Sequence, residues 1–138
     1  MLDYLIGGLA ARVATALCVL AIALPYVLRR SRLSRGLGVA QANPVPYLRR
    51  LWPHFWVGYA ILVLSTLHAG TVMGAMGRAN TVGILGATAA FLLLLFEIIL
   101  GLSLKDERLK ERPPLRRLHF WTMTAFVAAL LAHLWFNA

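Results

Sequence analysis

The sequence has little charge, few acidic residues and a single cysteine. Only 14% of its 138 residues are charged and only five are Asp or Glu, whereas 60% are hydrophobic and the mean hydropathy is +0.73. This composition excludes an ordinary soluble domain, because a soluble surface needs far more polar cover. The single Cys18 excludes an intrachain disulfide, and we expect it to be a buried apolar residue.

Long apolar stretches account for most of the chain. There are four of them, at residues 4–28, 51–76, 81–104 and 118–138. A helix needs about 20 residues to cross the hydrocarbon core, so each stretch predicts a transmembrane helix. The sequence therefore predicts an all-α, integral membrane four-helix bundle that forms one domain over residues 1–138. Pro113 and Pro114 are expected to break the helix before the fourth span.

The net charge of +9 is concentrated in two segments. Residues 29–50 and residues 105–117 each hold six of the 14 Lys and Arg. If all four stretches cross the membrane, both segments lie on the same side. The positive-inside rule then predicts that they are cytoplasmic loops and that the N-terminus and the C-terminus are both outside. The expected location is a bacterial inner membrane, with the first span retained because no cationic segment precedes it.

All four histidines lie in two of the apolar stretches. His54 and His68 lie in the second and His119 and His133 in the fourth, and the two members of each couple are 14 residues apart. Fourteen residues fall about 40° short of four helical turns and rise about 21 Å, so each helix carries one stripe with a histidine near each membrane face. Because both helices start on the same side, we predict that His54 lies level with His119, and His68 with His133.

The segments around these histidines also repeat one another. Leu-Arg-Arg-Leu stands shortly before His54 and directly before His119, and Phe-Trp follows each of them. This repeat predicts two duplicated helical hairpins related by an axis along the membrane normal. Two imidazoles from facing helices are what a low-spin haem with two axial histidines needs, whereas each level offers too few ligands for zinc. Histidines that only pack or carry protons are the alternative interpretation.

The arrangement resembles the dihaem four-helix bundle of cytochrome b in quinol-oxidising bc complexes. It is also similar to the membrane domain of ferric reductases and NADPH oxidases. The resemblance covers nearly the whole chain through its helix order and histidine spacing. It implies two haem b groups: His54 and His119 would bind the iron of an inner haem, and His68 and His133 that of an outer haem. No Pro-Glu-Trp-Tyr motif and no flavin or nicotinamide domain occurs in the sequence, so direct oxidation of a pyridine nucleotide by this chain alone is not expected.

These features predict a dihaem b-type membrane cytochrome that transfers electrons across the bilayer. We expect it to be a subunit of a larger quinone-linked respiratory or photosynthetic redox complex rather than a complete enzyme. The expected partners are membrane lipids, other subunits of that complex and a quinone, and not nucleic acid. The alternatives are a haem-free membrane anchor or assembly subunit and a stand-alone quinol or ferric reductase.

Two charged residues lie inside the apolar stretches. Arg12 lies near the expected level of the outer haem, where it is a candidate contact for a haem propionate; snorkelling or pairing elsewhere is the alternative. Glu97 lies in the cytoplasmic half of the third span and is a candidate quinone or proton site. The two lie too far apart along the membrane normal to neutralise one another.

Overall fold

The computed structural model describes residues 2–30, 51–73, 80–105 and 112–137. Within these ranges the chain forms four helices: α1 (Leu2–Arg30), α2 (Trp52–Val72), α3 (Thr81–Ser103) and α4 (Arg112–Asn137). Most of the predicted cytoplasmic loop 29–50, the end of the predicted second span at 74–76, and residues 106–111 of the predicted loop 105–117 lie outside the described residues.

All four helices are long and apolar enough to cross a membrane, which confirms the prediction of an all-helical chain of this kind. The qualifying segments are Leu5–Val27, Trp52–Val72, Thr81–Ser103 and Pro113–Asn137. Many of their large apolar side chains point away from the protein, among them Leu5, Val19, Val63, Leu85, Leu92 and Trp135. A soluble monomer does not expose an apolar surface of this extent, whereas a bilayer covers it.

The prolines at the start of α2 and α4 lie within the helices. Pro53 occupies the first turn of α2. Pro113 and Pro114 were expected to break the helix before the fourth span; that expectation is wrong, because α4 begins at Arg112 and includes both. The first helical turn has no internal partners for its N–H groups, so proline is tolerated there.

The helices pack as two hairpins. In the first hairpin α1 lies along α2, in the second α3 lies along α4, and the two hairpins meet mainly through α2 and α3. All four helices contribute to one small buried cluster, formed by Cys18, Ile61, Ala90, Leu94 and Phe126. The helices are therefore packed closely within each hairpin and more loosely between the hairpins.

Candidate cofactor-binding site

The structure brings the four histidines together in two pairs, each joining α2 to α4. The ring centroids of His54 and His119 are 6.4 Å apart, and those of His68 and His133 are 6.3 Å apart. The two helices therefore run parallel, with their histidines level at both ends of the bundle. Fourteen residues of helix separate the two levels by about 21 Å.

Three of the histidines are held by backbone carbonyl groups of the neighbouring helix. The Nδ1 atoms of His54, His68 and His133 lie 3.0 Å from the carbonyl oxygens of Ala21, Gly7 and Gly83, respectively. A carbonyl oxygen can only accept a hydrogen bond, so each Nδ1 carries the proton and donates it. The other ring nitrogen, Nε2, is then left with its lone pair, which is the form of imidazole that binds a metal.

The fourth histidine faces a carboxylate instead. His119 Nδ1 lies 2.6 Å from Glu97 Oε2, and only 11% of the Glu97 side chain is exposed. The two atoms are in contact although the ring N–H is not aligned for a hydrogen bond, and Glu97 Oε1 has no hydrogen-bond partner in the described part of the chain. The interaction is therefore chiefly electrostatic, and a carboxylate beside Nδ1 favours the tautomer of His119 that has its proton there.

These contacts give all four histidines the same orientation. Each Nδ1 is occupied by an acceptor on the other helix of its own hairpin, and no hydrogen bond to any Nε2 occurs among the described residues. Metal-binding histidines characteristically donate their second ring N–H to a carbonyl or a carboxylate in this way, which fixes the tautomer and the ring orientation. Histidines that served only to join the two hairpins would direct their hydrogen bonds across the gap.

No family model, curated protein or solved structure matches this chain. The chemistry of the histidines is therefore the only guide to a group that they could bind. Within residues 2–30, 51–73, 80–105 and 112–137 there is no group of three or more His, Cys, Asp and Glu side chains that could hold a metal ion. Two histidines at a level are too few for a structural zinc ion, but they are the full axial set for a haem iron, whose other four ligands belong to the porphyrin.

The separation of the paired rings fits two ligands on opposite sides of one metal. A metal–imidazole bond of about 2.0–2.1 Å, extended to the ring centre on each side, places the two centroids about 6 Å apart. The observed values are 6.4 and 6.3 Å. The ring planes make angles of 86° and 63°, which two axial ligands can adopt by rotation about their common axis. The ring separations therefore fit two histidine ligands of one haem iron at each level.

A pocket of 250 Å³ lies between the hairpins at the His54–His119 level. All four helices line it, and its wall is mainly apolar, with His54, His119, Glu97, Arg116 and Tyr59 as polar members. Gly58 and Gly101 also line it, and a Cβ atom on Gly58 would have no other atom within 4 Å. The wall therefore provides flat backbone surface next to His54 and an exposed cation, Arg116, which suits the carboxylates of a haem.

The middle of the bundle is filled between the two histidine levels. Ile61 lies seven residues from both His54 and His68, and Phe126 lies seven residues from both His119 and His133. Seven residues are close to two helical turns, so these side chains share the inward stripe of the histidines. Both are buried in the core cluster. Buried core side chains therefore lie between the two histidine levels.

Arg12 and Glu97 have different surroundings. Arg12 is exposed on α1 and, within the described residues, it forms no hydrogen bond or ion pair. It lies five residues after Gly7, whose carbonyl holds His68, and about 120° around the helix from the buried Cys18. Its predicted propionate contact stays a prediction.

Glu97, by contrast, lies directly at the His54–His119 level, and its predicted quinone or proton role also stays a prediction.

Sequence reasoning missed the residues that hold the imidazoles. The carbonyl groups of Gly7, Ala21 and Gly83 leave no side-chain signal because the acceptor is the backbone. One signal was available: Pro25 lies inside α1, four residues after Ala21. Proline has no N–H, so the carbonyl four residues before it lacks its helical partner and is free to accept another hydrogen bond. Asn137 was also missed; its side-chain nitrogen donates to the His133 carbonyl at 3.2 Å and lies 3.1 Å from His133 Nδ1, which donates to Gly83 and does not accept from Asn137.

Proposed function

We propose that this chain is an integral membrane dihaem cytochrome b that passes electrons across the bilayer. The observation that carries the proposal is the common orientation of four histidines, each anchored through Nδ1 on a neighbouring helix and paired at an axial-ligand separation with a histidine of the other hairpin. Haem b, when bound, supplies reversible one-electron transfer at its iron. Two such sites, one near each membrane face, suit transfer from one side to the other.

In this function the protein holds and orients the four histidine ligands and keeps water away from them. The helix contacts preset each histidine for axial binding before a ligand arrives, which reduces the entropy lost on binding. The apolar wall around His54 and His119 excludes water, and a site of low polarity limits the reorganisation that accompanies a change of charge. Arg116 at the pocket is placed to neutralise a carboxylate.

The two hairpins are, in this proposal, duplicated units. Their histidines recur 65 positions apart, and so do the buried residues Ile61 and Phe126. Gly7 and Gly83, whose carbonyls hold the histidines at one level, are 76 positions apart, as are the buried Ala14 and Ala90. Constant offsets in both helix pairs are what duplication of a two-helix unit predicts, with loops of different length between the helices.

The chain carries both sites but acts, in this proposal, as a subunit of a quinone-linked complex of a bacterial inner membrane. Its described residues are almost wholly bundle, and the resemblance to cytochrome b implies a quinone or a redox protein as donor and acceptor. The cationic segments 29–50 and 105–117 face the cytoplasm, and the His54–His119 site is the cytoplasmic one. The His68–His133 site is then the outer one.

Haem content tests the proposal directly. The full chain, expressed with an adequate haem supply and purified in detergent, should contain two haem b per chain by pyridine haemochrome assay. Its reduced-minus-oxidised spectrum should be that of a low-spin b-type cytochrome, because both axial positions are filled by histidine. Protein that is folded and helical but free of haem would overturn the proposal in favour of a haem-free anchor or assembly subunit.

The orientation can be tested with reporter fusions. Alkaline phosphatase, which is active only outside the cytoplasm, should be active when fused after Ala138 and inactive when fused within residues 29–50. The reason is the placement of twelve cations in two loops on one side of the membrane. A cytoplasmic reporter at the same two positions is the control and should give the opposite pattern. Activity of the phosphatase at 29–50 alone would reverse the orientation.

A further inference from the structure

The two histidines at the cytoplasmic level are held by unlike acceptors. His54 Nδ1 donates to the Ala21 carbonyl at 3.0 Å, whereas His119 Nδ1 meets the Glu97 carboxylate at 2.6 Å. Ala21 and Glu97 are 76 positions apart, the same offset that relates Gly7 to Gly83 at the outer level. Equivalent positions of the two hairpins, Ala21 and Glu97, therefore hold their histidines through different groups.

The local sequence also differs between the two hairpins at this place. In the first hairpin Pro25 leaves the Ala21 carbonyl without a helical partner, so that oxygen is available to His54. In the second hairpin Gly101 stands at the position offset by 76 from Pro25, and glycine has an N–H that keeps the helical bond. At this position of α3 the histidine of the hairpin faces the Glu97 side chain and not a backbone carbonyl.

The surroundings of Glu97 screen the charge of its carboxylate only weakly. Its side chain is 11% exposed, and within the described helices it forms no ion pair with Lys or Arg. The side chains around it in the pocket are mostly apolar. A charge in such surroundings acts over a greater distance than one in water, because little solvent screens it.

Resting on the proposed function, we infer that Glu97 is a positioning residue that lowers the reduction potential of the cytoplasmic site. The negative charge of a carboxylate beside Nδ1 makes Nε2 of His119 a stronger electron donor to iron than Nε2 of His54. Stronger donation and a nearby negative charge both favour the oxidised iron, which carries one more positive charge than the reduced iron. The outer site has only neutral carbonyl acceptors. The two sites thus differ in potential through a single side chain.

Redox potentiometry of single-site proteins tests this inference. His68→Ala should leave only the cytoplasmic site, and in that background Glu97→Gln should raise the midpoint potential at an unchanged haem content. Each iron exchanges one electron, with dithionite as reductant and ferricyanide as oxidant. Glu97→Asp, which keeps the carboxylate, should leave the potential close to that of the parent. In the His54→Ala background, where only the outer site remains, Glu97→Gln should shift nothing.

The outcomes separate the inference from the proposed function. If the His68→Ala parent binds no haem, the proposed function fails. If haem is bound and Glu97→Gln leaves the potential of the cytoplasmic site unchanged, or if Gln and Asp shift it equally, the inference fails. Should Glu97→Gln lose the haem while Glu97→Asp retains both haem and potential, the need for a carboxylate at His119 is supported. A changed g-value pattern in the electron paramagnetic resonance spectrum of the Gln variant would support altered axial donation.

Discussion

Replacing His54 and His119 together with alanine leaves one haem per chain, whereas replacing His54 and His133 together leaves none. This is the expected result because the structure pairs His54 with His119 and His68 with His133. The first double variant removes both ligands of one site and spares the other. The second removes one ligand from each site, although it changes the same number of histidines.

Haem per chain, measured on purified full-length protein, distinguishes these variants. Each single variant should lose one haem, so His54→Ala should match the His54→Ala/His119→Ala double variant. Circular dichroism at matched concentration controls for loss of the fold. Equal haem contents in the two double variants would contradict the pairing, since any scheme in which the histidines act independently predicts no difference between them.

The helices and the histidine pairs could be predicted because the relevant signals are local in the sequence. Hydropathy locates an apolar helix without reference to its neighbours, and the spacing of His54 and His68 fixes one stripe on one helix. If α2 and α4 run in the same direction through the membrane, the equal spacing of the histidines on both helices places them at the same two levels. The exposed apolar side chains and the buried Cys18 follow from the same reasoning.

The anchoring of the imidazoles could not be predicted because it depends on how neighbouring helices are aligned. Glu97 was identified as an unusual charge, but its contact with His119 follows from the register of α3 against α4, which no local pattern encodes. The Ala21 carbonyl had a signal in Pro25, yet a proline inside an apolar helix indicates only that some carbonyl is free. The position of α2 beside α1 determines that His54 is the group that donates to this carbonyl.

Replacing Gly86 with alanine should weaken the outer site and leave the cytoplasmic site intact. A Cβ atom there would lie 3.0 Å from the backbone nitrogen of His133, 3.2 Å from the Ala129 carbonyl oxygen and 3.3 Å from His133 Cα. These are backbone atoms of α4, so they can give way only if the helix moves. Such movement draws His133 away from the Gly83 carbonyl that orients it. Overpacking of this kind costs about 1–3 kcal/mol.

Gly70 provides the matched control on the facing hairpin. It lies two residues after His68, and a Cβ atom there would meet nothing within 4 Å. Gly70→Ala should therefore keep both haems and the unfolding temperature of the parent. Gly83→Ala is an intermediate case, because the three atoms nearest to the new methyl group belong to the side chain of Asn137, which can rotate away.

Unfolding temperature in detergent and haem per chain are the two measurements for these variants. The unfolding temperature reports the α3–α4 contact whether or not haem is bound, and the haem content reports the orientation of His133. Gly86→Ala should lower both, with the remaining haem assigned to the cytoplasmic site by its loss in the Gly86→Ala/His119→Ala variant. If Gly86→Ala behaves like Gly70→Ala in both measurements, the close approach of α3 to α4 does not hold His133 in place. The outer site would then depend on its axial ligands alone.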